Sequence, residues 1–400
     1  MPLDSTSVDD AVERLRPVVR RTALEPSDRL AEEVGVEVLL KREDVQRCRS
    51  YKVRGAYNLM SLLGPGERSG GVICASAGNH GQGVAFSCRA LEIRGRILAV
   101  GGDWIDLVIA GSSYDETSAV ALEESDRTGA VYVHPFDDER TIAGQGTVAV
   151  EIAEQHPGPI GALFVPVGGG GLIAGMALWC RAHRPDVRIV GVEPAGAASM
   201  GAALEQGGPV ALPSIDTFID GAAVARVGDL TYPLVRDLVD EVVTVEEGAV
   251  CTEMIDLYQS DGIIAEPAGA LATTAARRWA GDRAAGPLVC VVSGGNNDVS
   301  RYSEIVERSL IHQGLRHYFL VTFPQEPGAL RRFLDELLVH GEDIVLFEYV
   351  KKSNRDVGPA LVGIELNRPG DLDGLLERIR ESPLRIELVP AGSPMFTFLL

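Results

Sequence analysis

Short apolar runs alternate with helical stretches from about residue 8 to residue 310, and this alternation constrains the fold more than any other feature. The runs that read as strands are Val36–Leu40, Gly71–Ala75, Arg96–Val100, Ala162–Val167, Val187–Val192 and Leu288–Val292. Their nearly continuous apolar character is typical of strands that are covered on both faces. Helical stretches such as Gly171–Arg184 and Ala249–Ser260 lie between them. The order predicts an α/β fold with parallel sheets and with ligands bound at the carboxyl ends of the strands.

The pattern changes near Ile311, where a second domain is expected to begin. The predicted elements that follow are strands at His317–Phe323, Ile344–Val350, Pro359–Leu366 and Arg385–Val389, with helices at Gly328–His340 and Asp371–Glu381. This β-α-β-β-α-β order is the ferredoxin-like plan. We therefore predict a first domain over 1–314, with a smaller subdomain at about 53–155, and a second domain over 315–400.

One stretch does not fit a parallel sheet. Arg96–Val100 and Ile105–Ile109 both read as strands, yet only Gly101–Trp104 separate them. Consecutive parallel strands need a crossover of roughly a dozen residues or more. Either the two strands form a hairpin or a crossover segment is absent after Val100, and we favour the absence.

The composition excludes several classes of function. The chain has 400 residues and a net charge of −20, which disfavours binding to nucleic acid and to anionic membrane surfaces. The six cysteines show neither a C-x-x-C pair nor a metal-ligand spacing with histidine, so free thiols and no metal are expected. The segment Met1–Asp10 is polar and acidic, unlike a signal peptide, which favours a cytoplasmic protein.

The first candidate for chemistry is Lys52, which has Arg47, Arg49 and Arg54 near it in the sequence. Like charges disfavour the ammonium form, so this cluster predicts a lowered lysine pKa, as Schiff-base chemistry requires. Taken alone, such a cluster is more often a solvated basic face.

The second candidate is the glycine run Gly168–Gly171, which directly follows a predicted strand and opens a predicted helix. Backbone N–H groups can converge on an anion there, and the helix dipole adds to the attraction. The run fits neither the dinucleotide fingerprint nor the nucleotide P-loop. A flexible turn is the alternative, but the position between a strand and a helix favours a phosphate cradle.

Two further motifs follow predicted strands. In the first, Ser76, Gly78 and Asn79 could donate hydrogen bonds to a carboxylate or to a ring oxygen, whereas we expect His80 to be a packing or capping residue. In the second, Val291–Asn297, Ser293 could present its hydroxyl to a cofactor ring. Each motif is weak alone, but all of them lie at carboxyl ends of predicted strands, where such folds bind ligands.

Taken together, these motifs resemble the fold-type II pyridoxal-phosphate enzymes, and among them the threonine dehydratase family. The run Ser50–Ala56 is similar to the cofactor-lysine motif. The other matching runs, in order, are Ser76–His80, Pro135–Asp138, Gly144–Gly146, Gly168–Leu172, Gly191–Pro194, Glu266–Gly269 and Ser293–Asn296. The C-terminal runs Phe323–Leu330, Phe347–Tyr349 and Gly358–Ile364 resemble the ACT-like regulatory domain of the biosynthetic enzymes, here in a single copy.

The resemblance implies a role for each motif. Lys52 would bind pyridoxal 5'-phosphate covalently, release it to the substrate amine and then remove the α-proton. Asn79 would bond the ring hydroxyl, Gly168, Gly169, Gly170, Gly171 and Leu172 would hold the phosphate, and Ser293 would face the pyridine nitrogen. The run Ser76, Ala77, Gly78, Asn79, His80 would bind the substrate. The run Glu326, Pro327, Gly328, Ala329, Leu330 would take part in regulation.

Two positions narrow the resemblance further. Serine-racemase relatives carry a second serine where this chain has Ala77, so racemisation is disfavoured. Metal-binding relatives have an acid where this chain has Ser199, so a tight divalent site is disfavoured. The family also has a crossover helix after the position of Val100, which agrees with the topological argument.

The resemblance implies dehydration and deamination of L-threonine to 2-oxobutanoate and ammonia, the first step of isoleucine biosynthesis. Isoleucine, or isoleucine with valine, would be the effector, and the assembly would be a homotetramer. The alternatives are a catabolic dehydratase acting on serine or threonine and a non-catalytic amino-acid sensor on the same scaffold. The C-terminal tail disfavours the first alternative, and the intact Lys52 disfavours the second.

Overall fold

Two separate sheets organise residues 1–297, the first of two units into which the internal contacts divide the chain. The computed structural model describes residues 3–76, 78–98, 105–107, 114–279, 286–349, 356–390 and 393. The strands of this unit are β1 Leu24–Pro26, β2 Val38–Arg42, β3 Val72–Ala75, β4 Gly95–Leu98, β5 Ile105–Leu107, β6 Val131–Tyr132, β7 Ala162–Pro166, β8 Arg188–Pro194, β9 Glu241–Val245 and β10 Leu288–Val292.

Helices connect these strands. They are α1 Ser5–Leu15, α2 Asp28–Val34, α3 Lys52–Ser61, α4 Pro65–Gly70, α5 Asn79–Leu91, α6 Tyr114–Thr128, α7 Glu139–Gln155, α8 Gly171–His183, α9 Ser199–Gln206, α10 Thr231–Leu238, α11 Glu247–Gln259 and α12 Leu271–Trp279. Short 3₁₀ turns lie at Glu43–Val45, Ala195–Ala197 and Pro267–Ala270. None of the described helices is long and apolar enough to cross a membrane.

The larger sheet has the order β1-β2-β10-β7-β8-β9, and the smaller sheet has the order β5-β4-β3-β6. All neighbouring pairs are parallel except β1 with β2. The α/β fold with parallel sheets is therefore confirmed. Every residue of β7 and β10 is buried, as the continuous apolar runs predicted. Strands β1, β6 and β9 are not apparent from the sequence pattern. Pro26 lies in β1 and lacks an N–H group, which suits the edge position of that strand.

The suspect strands β4 and β5 pair side by side in parallel, with Gly95 opposite Ile105. This register excludes the hairpin alternative. The connection from residue 99 to residue 104, including Val100 and Gly101, lies outside the described residues.

Helix α7 packs against both α3 and α8 through glycine. A Cβ atom at Gly144 would lie 2.6 Å from the carbonyl oxygen of Arg54 in α3. A Cβ atom at Gly146 would lie 2.6 Å from the carbonyl oxygen of Gly175 in α8. Because α3 begins at Lys52 and α8 begins at Gly171, this helix fixes the two elements that carry the predicted lysine and glycine motifs.

The second unit covers Asp298–Leu400. Its elements are α13 Tyr302–His312, β11 Arg316–Pro324, α14 Ala329–Leu337, β12 Glu342–Tyr349, β13 Val357–Leu366, α15 Leu372–Glu381 and β14 Arg385–Leu388, with 3₁₀ turns at Val299–Arg301 and Pro369–Asp371. The strands form an antiparallel sheet in the order β12-β13-β11-β14. From β11 onward, the β-α-β-β-α-β order is the predicted one.

Helix α13 precedes this sheet and belongs to the second unit. Its Glu307 accepts a hydrogen bond from the hydroxyl of Tyr318 in β11 at 2.6 Å and pairs with Arg316. The contacts thus divide the chain after Asn297, whereas the sequence pattern predicts the boundary between residues 314 and 315. The functional division at 314 and 315 stays a prediction.

Candidate active site

A cavity of about 420 Å³ lies at the carboxyl ends of the strands in the first unit. The segments that follow β3, β6, β7 and β10 all contribute to its lining. The lining residues that the sequence analysis had singled out are Lys52, Ser76, Gly78, Asn79, His80 and Gly168–Leu172. Tertiary structure thus brings three distant motifs to one site, at the strand ends where such folds bind ligands.

Lys52 is the first residue of α3, and its Nζ donates to the carbonyl of Pro135 at 3.4 Å. Burial lowers the pKa of Lys52 to about 8, and nearby Glu266 opposes the shift. The direction agrees with the sequence prediction, but the predicted cause, repulsion by Arg47, Arg49 and Arg54, is wrong.

Those three arginines bond elsewhere. Arg54 is buried and pairs with Glu43 and Glu151, each at 2.8 Å. Arg47 donates to the carbonyl of Val18, and Arg49 lies near the carbonyl of Ile264. Because their charges are neutralised or solvated, burial dominates the shift in the lysine pKa.

The glycine run closes the opposite part of the lining. A Cβ atom at Gly169 would lie 2.3 Å from the ring of Phe136, and Gly170 has φ +91°, in the left-handed region. Larger residues are therefore excluded from this loop. Gly168, Gly169 and Gly170 lie between β7 and α8. Within the described residues, no backbone carbonyl accepts a hydrogen bond from their N–H groups. Free N–H groups at the start of α8 suit a phosphate group.

The loop after β3 leads into α5. The N–H of Gly78 donates to Ser76 Oγ at 3.2 Å, and Asn79 is the first residue of α5. His80 is buried, its Nε2 donates to the carbonyl of Val133 at 2.7 Å, and burial lowers its pKa to about 3. A histidine held neutral in this way suits packing better than proton transfer. Ala77, the position that disfavours racemisation, lies outside the described residues.

Ser293 follows β10 and is buried, and its Oγ donates to the carbonyl of Ala268 at 3.3 Å. Its own carbonyl accepts the N–H of Tyr51 at 3.1 Å, which ties the Ser293 loop to the segment before Lys52. Ser293 does not itself line the cavity as far as the described residues show, whereas Asn296 does. Its contact with a pyridine nitrogen stays a prediction.

Several lining residues had no role in the sequence analysis: Tyr51, Phe136, Asp220, Val224, Glu266 and Asn296. Glu266 and Asn296 lie in motifs that had been quoted for the resemblance without a role. Asp220 and Gly221 form an Asp-Gly dipeptide, which is typical of a turn. This turn signal is the one local feature that could have pointed to the segment as part of the site.

Within the described residues, no group of three or more His, Cys, Asp or Glu side chains is placed to hold a metal ion. Glu193 accepts the N–H groups of Met200 at 2.7 Å and Gly201 at 2.8 Å, beside the buried Ser199. Burial raises the pKa of Glu193 to about 7.

The predicted regulatory run lies in the second unit, between β11 and α14. Glu326 pairs with Arg332, and Gly328 has φ +89° just before Ala329 opens the helix. Leu330 is 43% exposed, so an apolar side chain is presented at the first turn of α14.

Comparison with known proteins agrees with this site. Residues 15–294 match the family described as pyridoxal-phosphate dependent enzyme, and residues 307–399 match the C-terminal regulatory domain of threonine dehydratase. The biosynthetic L-threonine dehydratase of Mycobacterium tuberculosis (strain H37Rv) is 53% identical over 414 residues, which cover 100% of this chain and 96% of the relative.

This chain belongs to the threonine dehydratase family of pyridoxal-phosphate dependent enzymes. The biosynthetic L-threonine dehydratase of Bacillus subtilis is 43% identical, covering 98% of this chain and 96% of that family member. Among solved structures, the processed form of threonine deaminase isoform 2 from Solanum lycopersicum has a TM-score of 0.72 and 37% identity, covering 76% of this chain and 88% of that chain. Maize serine racemase has a TM-score of 0.70 and 33% identity, covering 77% and 99%.

The alignment with the relative from M. tuberculosis is longer than this chain. The M. tuberculosis relative aligns over 414 positions with a chain of 400 residues, so about 14 of its positions have no counterpart here. A crossover between parallel strands needs roughly a dozen residues or more. The absence of such a segment between β4 and β5 stays our interpretation.

The residues at the cavity fit the family's cofactor. A lysine with a lowered pKa suits an aldehyde. A glycine loop with free N–H groups suits a phosphate, and an asparagine side chain suits a ring hydroxyl. Lys52, Gly168–Leu172 and Asn79 are the residues that would hold them.

Proposed function

We propose that this protein dehydrates and deaminates L-threonine to 2-oxobutanoate and ammonia. The observation that carries the proposal is the 53% identity, across the whole chain, to a relative named biosynthetic L-threonine dehydratase. Lys52 and the glycine loop on one cavity support it. Bound pyridoxal phosphate supplies an electron sink for the carbanion that forms when the α-proton leaves.

The chain's own residues do the remaining work. As a neutral amine, Lys52 takes the proton from the substrate α-carbon. Ser76, Gly78 and Asn79 orient the substrate carboxylate at the N-terminus of α5. The β-hydroxyl then leaves with a proton as water, and a second water later releases ammonia and the oxo acid. Ser293 would face the ring nitrogen, as the resemblance implies, and a neutral hydroxyl there would favour its protonation less than a carboxylate would, which suits elimination.

Regulation by isoleucine, with or without valine, is proposed from the second unit and from its match to the regulatory domain of threonine dehydratase. We also propose placement in isoleucine biosynthesis and a homotetramer, as the family resemblance implies, and a cytoplasmic location. A catabolic enzyme acting on serine or threonine remains the alternative. The methyl group that separates those substrates contributes only about 1–3 kcal/mol to selection.

The deciding experiment measures oxo-acid production from L-threonine and L-serine, with the visible spectrum of the purified protein recorded alongside. We expect 2-oxobutanoate to form, and a Lys52→Ala variant to lose both turnover and the absorbance of lysine-bound cofactor. Bound cofactor without turnover would contradict the proposal and would point to the segment after Val100. Absence of the cofactor band would favour a non-catalytic sensor.

A further inference from the structure

The side-chain amide of Asn79 is held at both ends. Its Nδ2 donates to Glu266 Oε1 at 2.6 Å, and its Oδ1 accepts from Asn296 Nδ2 at 2.7 Å. Asn296 Nδ2 also lies 2.8 Å from the carbonyl oxygen of Cys48 and 3.1 Å from Gln82 Oε1. Asn79 is therefore one member of a chain of hydrogen bonds that crosses the floor of the cavity.

The direction of this chain follows from its first member. A backbone carbonyl can only accept, so the carbonyl of Cys48 requires the nitrogen of Asn296 to face it. The same nitrogen then requires the oxygen of Asn79 to face Asn296. The Asn79 nitrogen consequently faces Glu266, where one of its two N–H groups is used, and among the described residues the other has no acceptor.

Glu266 is suited to terminate this series of hydrogen bonds because it is only 5% exposed and is fixed on several sides. The N–H of Asn296 donates to its carboxyl group. A Cβ atom at Gly294 would lie 2.1 Å from Glu266 Oε1, so the carboxyl packs directly on the loop that holds Ser293. Burial raises the pKa of Glu266 to about 8, helped by Asp220 and opposed by Asn79 and Lys52.

We propose that Glu266 and Asn296 are positioning residues that orient the Asn79 amide and leave its second N–H for the ring hydroxyl oxygen of pyridoxal phosphate. This inference deepens the proposed function and rests on its cofactor site. It assigns Glu266 an effect on the cofactor through Asn79 and no contact with the substrate.

The test measures the dissociation constant of pyridoxal phosphate from the full chain, together with the absorbance maximum and fluorescence of the bound cofactor. Glu266→Ala and Asn296→Ala should each weaken cofactor binding about three- to tenfold, the effect of one hydrogen bond. Glu266→Gln keeps an acceptor oxygen without the titrating proton, so it should restore affinity and spectrum to near those of the parent chain.

A double variant separates positioning from direct contact. If Glu266 acts through Asn79, Glu266→Ala combined with Asn79→Ala should bind the cofactor no more weakly than Asn79→Ala alone. Additive losses, or a failure of Glu266→Gln to restore the spectrum, would overturn the proposal.

Stability is controlled with Glu253→Ala, since Glu253 is equally buried but bonds Arg29 and Arg277 instead of Asn79. That variant should lower the unfolding temperature without changing the spectrum of the bound cofactor. Cofactor binding is read without substrate, so an absence of threonine turnover in the parent chain would contradict the proposed function and leave this test intact.

Discussion

A Cβ atom at Gly146 would lie 2.6 Å from the carbonyl oxygen of Gly175, so α7 and α8 cross at a contact with room only for hydrogen. Gly175 is equally constrained, because a Cβ atom there would lie 2.2 Å from the carbonyl oxygen of Ile142. Backbone atoms form both contacts and cannot rotate away. This crossing sets how α8, with the glycine loop at its start, lies on α7.

Gly146→Ala should therefore reduce stability and cofactor affinity together. Overpacking at a rigid contact costs about 1–3 kcal/mol. We expect a lower urea midpoint and weaker binding of pyridoxal phosphate. The matched control is Gly66→Ala in α4, where a Cβ atom would meet nothing within 4 Å. Equal effects from the two substitutions would contradict the proposed contact.

Capture of pyridoxal phosphate by cofactor-free protein should follow the titration of Lys52. Only the neutral amine attacks the aldehyde, and burial lowers the pKa of Lys52 to about 8. The capture rate should rise with pH, reach a plateau above about pH 9, and be roughly tenfold below that plateau at pH 7.

Borohydride trapping followed by peptide mass spectrometry would measure this rate at each site. The chain holds only Lys41, Lys52, Lys351 and Lys352, so assignment of the label is simple. A Lys52→Ala variant is the control for labelling elsewhere. A midpoint near pH 10 for Lys52 would show that burial does not lower its pKa.

Arg54→Met should destabilise the first unit by about 3–5 kcal/mol, because it removes the guanidinium that pairs with the buried Glu43 and leaves Glu151 with Lys41 as its partner. Burial alone would raise the pKa of Glu43, but Arg54 and Lys41 lower it overall. A carboxyl group whose pKa is lowered in the folded state stabilises the fold at pH values above its ordinary pKa. That contribution is lost as the pH falls through the folded-state pKa.

Urea unfolding at neutral and at acid pH would measure both effects. The control is Arg16→Met, since Arg16 pairs with Glu13 on the surface and both side chains are 66% exposed. We expect that substitution to change the free energy of unfolding by less than about 1 kcal/mol. Comparable losses from the two variants would mean that the buried network adds nothing beyond a surface pair.

Leu330→Lys should raise the concentration of isoleucine that gives half of the regulatory effect by about tenfold or more. The side chain is 43% exposed at the start of α14, so the substitution should not disturb the core of the second unit. Leu334→Lys, one turn later on the same helix and 38% exposed, is the matched control. The response is read as oxo-acid production against isoleucine concentration. Equal shifts in both variants would show that the predicted regulatory run does not form the effector site.

Local sequence patterns were enough to predict the long buried strands and the residue types of the site. Continuous apolar runs gave β7 and β10 because strands buried on both faces need no polar alternation. The glycine run could be interpreted because only a loop without side chains exposes its N–H groups to a phosphate. The β-α-β-β-α-β order of the second unit followed in the same way from local periodicity.

Tertiary structure alone decided which groups interact. The arginines beside Lys52 in the sequence pair with distant carboxylates, so burial and not like charge lowers the lysine pKa. Glu266 meets Asn79 across 187 residues, a separation that no local pattern can encode. Hydrogen bonds and desolvation depend on distances between side chains in space, and those distances exist only once the two sheets and their helices have packed.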